Sequence, residues 1–143
     1  MVEIKIVTKT GQVPSYETEG ASGMDIRAFI ESPICLNPGE RKLINTGLYV
    51  EIPKGYEAQV RARSGLSIKH GITLINGIGT VDSDYRGELM VPLVNLGQEA
   101  FTINNGDRIA QMVIAKYETC QFKIVEKLSD TKRGKGGFGH TGV

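Results

Sequence analysis

The chain has 143 residues, of which 40% are hydrophobic and 23% charged, which predicts one globular domain with a single core. Its formal net charge of +1 excludes a strong overall field that would attract bulk nucleic acid or a membrane surface. A site for a polyanion must therefore be built locally, from a few placed cations and backbone amides.

Cysteine and histidine are scarce in this chain. The two cysteines, Cys35 and Cys120, and the two histidines, His70 and His140, are too widely spaced to predict a zinc site. We expect both thiols to be free, core-type groups in a reducing compartment. No apolar run is long enough to span a bilayer, and the N-terminus lacks the apolar core of a signal peptide. These features predict a cytoplasmic protein with no membrane or nucleic-acid partner.

Turn residues are dense, with 18 glycines and 5 prolines dividing the sequence into short runs. Several of these runs show the alternation of apolar and polar residues that is typical of strands. In chain order they are residues 2–6, 41–52 with an interruption at Gly47, 56–63, 89–94, 111–117 and 122–128. Strands that recur this often predict an all-β sandwich or barrel rather than a βαβ fold.

One segment, residues 64–71, favours a helix. Ser64 is a candidate N-cap and Gly71 a candidate C-terminal stop. The free amides of the first turn, preceded by Arg61 and Arg63, could bind an anion.

The stretch 76–88 carries the clearest chemical signal. Its Asn76-Gly77 pair predicts a hairpin whose second strand begins near Glu88. Asp82 directly follows the apolar Val81, and an acid held at the edge of a core can orient a water and accept its proton. A solvated hairpin with surface charges is the alternative.

Two other clusters are ambiguous alone. In residues 21–28, Asp25 and Arg27 lie two apart on one face of a strand, which an exposed ion pair explains equally well. In residues 106–111, a turn acid beside Arg108 leads into a strand, and pairing between these neighbours explains that pattern.

The glycine-rich stretch 129–143 has one large apolar residue, Phe138, and cannot fold alone. It is either a disordered tail or a flexible arm that orders over a ligand, with Phe138 stacking and backbone amides binding phosphate. Residues 134–141 approach the phosphate loop G-x-x-x-x-G-K-[ST], but His140 replaces its lysine and no helix is predicted after it. A strand–loop–helix nucleotide fold is therefore excluded.

Taken in order, these five stretches resemble the five motifs of the homotrimeric dUTPase family, over residues 21–142. The block 80–88 and the Gly-Gly-Phe-Gly of the tail are the most distinctive. The resemblance implies a jelly-roll-like, distorted β-barrel of residues 1–128 with one short helix, and a flexible glycine-rich arm, residues 129–143, that closes over an active site.

The resemblance also implies an activity. The enzyme would form a homotrimer with active sites shared between chains. It would use Mg²⁺ to hydrolyse dUTP to dUMP and diphosphate, supplying dUMP for thymidylate synthesis and keeping uracil out of DNA.

Residue roles follow from the same resemblance. Asp82 would be the base that activates the attacking water, and Asp25 would support Mg²⁺ indirectly, through metal-bound water. Four residues would hold the phosphates and the attacking water, with Ser64 also stabilising developing charge: Arg63, Ser64, Gly65 and Gln111. The base and sugar would meet Asn76, Gly79, Thr80, Val81, Asp82, Tyr85 and Met90. The arm would contribute Arg133, Phe138, Gly139, His140 and Thr141.

Three positions depart from the family pattern without removing a proposed catalytic group. They are Met24 for a common tyrosine, Ile78 for a common proline and His140 for a frequent serine. The competing interpretations are a dCTP deaminase or bifunctional deaminase of related fold, a non-catalytic nucleotide-binding homologue, and a structural β-sandwich module.

Overall fold

A computed structural model describes residues 1–142, and within them the chain forms ten strands and one short helix. The elements are β1 Lys5–Thr8, β2 Met24–Arg27, β3 Ile34–Leu36, β4 Arg41–Glu51, β5 Tyr56–Arg61, α1 Ser64–His70, β6 Ile72–Leu74, β7 Gly79–Val81, β8 Glu88–Asn95, β9 Phe101–Ile103 and β10 Arg108–Lys116. The all-β prediction with one short helix is confirmed. No helix in this part of the chain has the length and apolarity to cross a membrane.

The strands form two four-stranded antiparallel sheets and one strand pair. The sheet orders are β1-β4-β8-β6 and β2-β10-β5-β7, with β3 paired to β9. Inward-facing side chains of both sheets make one hydrophobic core, which confirms the jelly-roll-like architecture. Within residues 1–142 the ladders do not close into a barrel. The edge strands β6 and β7 have three residues each, so they offer few backbone groups for extending a ladder.

Strand β8 shows how the alternation places its residues. Leu89, Val91 and Leu93 are buried in the core, whereas Met90 on the opposite face is exposed. Burying one face of a strand in this way removes apolar surface from water and fixes the register, because a slip of one residue would exchange the faces. The alternation predicted over residues 89–94 is confirmed from Leu89 to Leu93, whereas Val94, on the same face as Met90, is also buried.

The second strand predicted after the Asn76-Gly77 turn is confirmed, because β8 begins at Glu88 and pairs antiparallel with β6, the strand before the turn. The turn forms, with Gly77 at φ 73° and its N–H donating to Leu74 O at 3.1 Å. The connection between β6 and β8 is longer than a simple turn, however, since it contains β7, which pairs with β5 in the other sheet. An Asn-Gly pair specifies a local turn but not which strands meet beyond it. The chain here crosses from one sheet to the other.

The strand predicted at residues 122–128 is also wrong, since the described chain has no strand after Lys116. Phe122, Ile124 and Leu128 are 91%, 98% and 80% exposed. Alternation supplies the pattern of a strand, but a strand also needs an edge to pair with. In this segment the apolar side chains have solvent where a partner would lie.

The two thiols are unpaired in the described chain, as expected, but both Cys35 and Cys120 are exposed. The prediction that they are core-type groups is therefore wrong. Cys35 lies at an outward-facing position of β3, between Ile34 and the buried Leu36, so the strand alternation decides its exposure.

A buried amide, that of Asn95, joins the end of β8 to its surroundings. Its Nδ2 donates to Leu36 O at 2.8 Å and to Glu99 O at 2.7 Å, and its Oδ1 accepts from the N–H of Gly97 at 2.8 Å. A Cβ on Gly97 would lie only 2.4 Å from His70 O, so the glycine lets this loop contact the end of α1. The loop at Gly97 thereby packs against the C-terminal end of α1 and leaves its first turn free.

Replacing Asn95 by alanine is expected to lower the free energy of unfolding by about 3 kcal/mol or more, because buried partners left unsatisfied cost ~1–3 kcal/mol each. Urea unfolding followed by circular dichroism measures this change. The matched control is Asn104→Ala, at an exposed residue that bonds Asp107 through its main chain. Equal midpoints for the two variants would contradict a structural role for the Asn95 amide.

Candidate active site

One cluster of predicted site residues forms where three strands run side by side. Gln111 on β10 lies opposite Asp25 on β2 and opposite Arg61 on β5. The Gln111 amide Nε2 donates to Ala62 O at 3.0 Å, just before Arg63 and the start of α1. Cross-strand neighbours have side chains within contact distance, so strand pairing assembles this cluster from three distant parts of the sequence.

The Asp25 carboxylate lies between two guanidinium groups. Its Oδ1 is 3.1 Å from Arg63 Nε and its Oδ2 is 3.4 Å from Arg108 Nη1, and its side chain is 16% exposed. The alternative pairing of Asp25 with Arg27 is wrong, because Arg27 Nη1 donates to Gly106 O at 2.9 Å. A partly buried carboxylate bound by two arginines orients both cations, because each pair is a charge-assisted hydrogen bond.

Arg108 is a member of this cluster that sequence reasoning did not select. The alternative pairing of Arg108 with the adjacent turn acid is also wrong, because the Asp107 carboxylate accepts from the N–H of Asn104 at 2.8 Å. The sequence feature that pointed to Arg108 was its place at the first residue of β10, three residues before Gln111. The sequence alone could not predict its contact with Asp25 on β2, which is 83 residues away along the chain.

The helix α1 begins at Ser64 rather than after it. Arg63 occupies the N-cap position with φ −91° and ψ 129°, and within the described chain no side chain caps the helix. The prediction that Ser64 is the N-cap is therefore wrong, whereas Gly71 is the C-cap as predicted, at φ 70°. The Ser64 hydroxyl is not used for capping, and Ser64 and Gly65 are both exposed beside Arg63.

Gly23 is packed against the side chain of Gln111. A Cβ at position 23 would lie 2.4 Å from Gln111 Oε1 and 3.3 Å from its Cδ. Such a contact is impossible without movement, and the flexible end of the glutamine is the part that can move. The glycine therefore lets the Gln111 amide occupy its observed position between β2 and Ala62.

Replacing Gly23 by alanine is expected to displace the Gln111 amide and lower turnover by about tenfold, the effect of losing one hydrogen bond of ~1.4 kcal/mol. The fold should lose little stability, since only the end of a side chain must shift. Steady-state kinetics and thermal unfolding measure the two effects. Gly20→Ala is the matched control, because a Cβ there meets nothing within 4 Å. Unchanged turnover in Gly23→Ala would contradict a role for the observed Gln111 position.

A second cluster forms a cavity of about 290 Å³ at the edge where β7 and β8 approach each other. Its lining combines apolar side chains with polar groups and includes every residue predicted to bind the base and sugar: Asn76, Gly79, Thr80, Val81, Asp82, Tyr85 and Met90. The Tyr85 hydroxyl donates to Glu88 O at 2.9 Å. A Cβ on Gly87 would lie 2.3 Å from that hydroxyl, so the glycine makes room for the ring.

The two clusters lie apart within one chain. Asp82 follows Val81, which pairs with Ala58, whereas Gln111 pairs with Arg61 on the same strand β5. Two strand spacings and four residues of rise separate the Cα atoms of Asp82 and Gln111 by roughly 16 Å. Side chains stand out from a sheet rather than run along it, so these two groups cannot bind one water molecule.

The arm residues form local turns of their own. Arg133 Nε donates to Gly136 O at 2.8 Å, and the N–H of His140 donates to Gly137 O at 3.1 Å. Phe138 is fully exposed and has φ 49°, a conformation that few residues other than glycine adopt. The structure thus leaves the faces of this ring open, and these bonds lie within the arm itself.

The carboxylates do not make a preformed metal cage. Among residues 1–142 no group of three or more His, Cys, Asp or Glu side chains could hold an ion. Asp25 stands next to two arginines, each bound to one of its oxygens. This donor set fits Mg²⁺ that arrives on phosphate oxygens and keeps its own waters, and it does not fit an ion held by protein ligands alone.

Comparison with known proteins gives consistent matches. The dUTPase family model matches residues 9–142. The deoxyuridine 5'-triphosphate nucleotidohydrolase of Finegoldia magna is 58% identical over 142 residues, which cover 99% of each chain. The solved dUTPase of Staphylococcus bacteriophage 80alpha with dUpNHpp has a TM-score of 0.88 at 27% identity, covering 100% of this chain and 99% of that one. A mutant dUTPase from phage phi11 of S. aureus, which coordinates a structural Mg(II) ion, has a TM-score of 0.77 at 24% identity, over 89% of this chain and 97% of that one.

Proposed function

The chain belongs to the dUTPase family, and we propose that its two clusters are the two halves of one active site, one for the base and sugar and one for the triphosphate. The reaction is the hydrolysis of dUTP to dUMP and diphosphate. The observation that supports this division is the cavity beside β7, whose lining includes Asp82 and the residues proposed to bind the base and sugar.

Asp82 is the proposed general base. It would accept a proton from a water molecule whose oxygen attacks the α-phosphorus. The bond from that phosphorus to the bridging oxygen would break, and diphosphate would leave. Such a displacement needs no covalent enzyme intermediate, and its rate depends on positioning and on stabilising charge. The exposed place of Asp82 at the cavity edge suits a group that must reach both water and nucleotide.

The strand cluster would hold the triphosphate. Arg63 and Arg108 present guanidinium groups oriented by Asp25, and guanidinium forks match phosphate oxygens. Gln111 would orient the attacking water, and the exposed Ser64 and Gly65 would meet the phosphates near the scissile bridge. When bound, Mg²⁺ would neutralise phosphate charge, with Asp25 contacting it through water.

Base selection would come from fixed hydrogen bonds in the cavity. Asn76 and the backbone at Thr80, Val81 and Met90 would pair with uracil, and a base with the wrong donor pattern would leave groups unpaired at about 1–3 kcal/mol each. The Tyr85 ring, held through its hydroxyl, would lie under the deoxyribose. That position would exclude a 2'-hydroxyl and hence UTP.

Complete sites would need more than one chain. Asp82 and Gln111 are too far apart in one chain to share a water, so the two halves would meet between copies. The exposed apolar side chains of residues 122–128 mark surface that association would cover. We therefore propose that copies of the chain associate, and that the assembly is the homotrimer that the family resemblance implies. Its 1–128 domains would share sites, and the arm 129–143 would close over a shared site and place Phe138, Arg133, Gly139, His140 and Thr141 on the nucleotide.

A diphosphate-release assay with Mg²⁺ tests this function directly. We expect hydrolysis of dUTP and much slower hydrolysis of dCTP, dTTP and UTP. Omission of Mg²⁺, with a chelator present, should lower the rate. Ammonia release from dCTP would instead indicate a deaminase, and binding of dUTP without diphosphate release would indicate a non-catalytic homologue.

A further inference from the structure

Strand β4 carries a bulge next to the base cavity. Asn45 lies opposite Met90 and Tyr49 opposite Glu88, so three residues of β4 face the single residue Leu89 of β8. Gly47, in the bulge, has φ 68°, and a Cβ there would lie 2.8 Å from the Phe29 ring. A bulge leaves backbone groups without ladder partners, so other groups must satisfy them.

The Glu88 side chain fills this role. Its Oε1 accepts from the N–H of Gly47 at 2.8 Å and its Oε2 accepts from Asn45 Nδ2 at 3.0 Å. Burial raises the pKa of Glu88, but the hydrogen bonds from Gly47 and Asn45 and the nearby charge of Lys9 outweigh burial and hold that pKa below its ordinary value. The carboxylate is therefore ionised at neutral pH and acts as an acceptor at both oxygens.

Glu88 itself lines the cavity, and it is connected to two other residues of the lining. The Glu88 carbonyl accepts from the Tyr85 hydroxyl at 2.9 Å, and Tyr85 lines the cavity. Asn45 Nδ2, bound to the carboxylate, also lies 3.8 Å from Met90 Sδ, and Met90 lines the cavity too. One residue thus links the bulge to the two cavity side chains on either side of it in sequence.

We propose that Glu88 is a positioning residue that sets sugar and base discrimination, acting through Tyr85 and Met90. Its carboxylate fixes the start of β8 against the bulge, and its carbonyl fixes the angle of the Tyr85 ring. The inference rests on the proposed function of the cavity. It adds a residue whose carboxylate need not touch the nucleotide.

The test is Glu88→Gln, which keeps the size of the side chain but leaves it one acceptor oxygen. Its amide NH₂ would then face one of the two present donors, Asn45 Nδ2 or the N–H of Gly47. We expect KM for dUTP to rise about tenfold, the effect of one hydrogen bond of ~1.4 kcal/mol. The kcat/KM ratio of dUTP over UTP should fall by a similar factor, while kcat for dUTP changes less. Asn45→Ala should reproduce part of this effect, and the double variant should show less than the product of the two.

Glu51→Gln is the matched control, since Glu51 lies on β4, the strand that carries the bulge, and binds only the exposed Lys5 among the described side chains. This variant should leave the dUTP:UTP ratio unchanged. A Glu88→Gln protein with wild-type KM and ratio would overturn the inference. So would equal losses for dUTP and UTP that follow a fall in Tm, because that is the result of a merely structural role. Wild-type protein in the same assay separates the cases: if it does not hydrolyse dUTP, the proposed function itself fails.

Discussion

Replacing Asp82 by asparagine is expected to lower the turnover of dUTP by on the order of 10²- to 10⁴-fold, the usual contribution of a positioned general base. Asparagine keeps the size and one hydrogen-bond acceptor, so the cavity should keep its shape. It cannot accept the proton of the attacking water. Nucleotide affinity should change little, because the loss falls in the reaction step rather than in binding.

Two measurements separate these effects: single-turnover diphosphate release, and the Kd of a dUTP analogue with a non-hydrolysable α–β bridge. The matched control is Asp84→Asn, since Asp84 is an exposed acid of the same loop and does not line the cavity. Turnover within about threefold of wild type in Asp82→Asn, less than ~0.7 kcal/mol of barrier, would remove Asp82 from the mechanism. An equal loss of turnover in Asp84→Asn would indicate that the negative charge of the loop, and not a general base at Asp82, is responsible.

Ending the chain after Lys132 is expected to leave a folded assembly with kcat/KM for dUTP reduced by about 10²-fold or more. Stacking of an aromatic ring on a base contributes ~1–3 kcal/mol, and the lost phosphate contacts add to that. The core should be unaffected, because the arm bonds run within the arm. Light scattering and circular dichroism check assembly and fold. Full activity in the truncated protein would contradict the proposal that the arm closes over the active site.

Mixing two impaired proteins can test whether the arm of one chain acts at the Asp82 of another. A truncated chain still carries Asp82, and the Asp82→Asn chain still carries its arm. If an arm serves a neighbour's Asp82, mixing and reassembling the two impaired proteins should restore part of the activity. If each arm serves its own Asp82, the mixture should stay at the sum of the two low activities. Phe138→Trp should keep most activity and Phe138→Ala should not, which tests stacking separately from arm length.

Local patterns in the sequence were sufficient for much of the fold, and the family resemblance was sufficient for the membership of the cavity. Alternation identified the buried face of β8, and Gly71 marked the end of α1. The residues predicted to meet the base and sugar all line one cavity, although their roles stay predictions. The alternation in β8 and the end of α1 depend on neighbours within a few residues, which is the range over which side-chain periodicity and backbone preference act.

Only the tertiary structure decided which distant groups meet. Asp25 binds Arg63 and Arg108 rather than Arg27, and β7, in the connection between β6 and β8, pairs with β5 in the other sheet. Residues 122–128 form no strand in the described chain despite their alternation. Asp25, Arg63 and Arg108 come from distant parts of the sequence, and their contacts, like that of β7, depend on which edges and cations the whole fold brings within hydrogen-bonding distance.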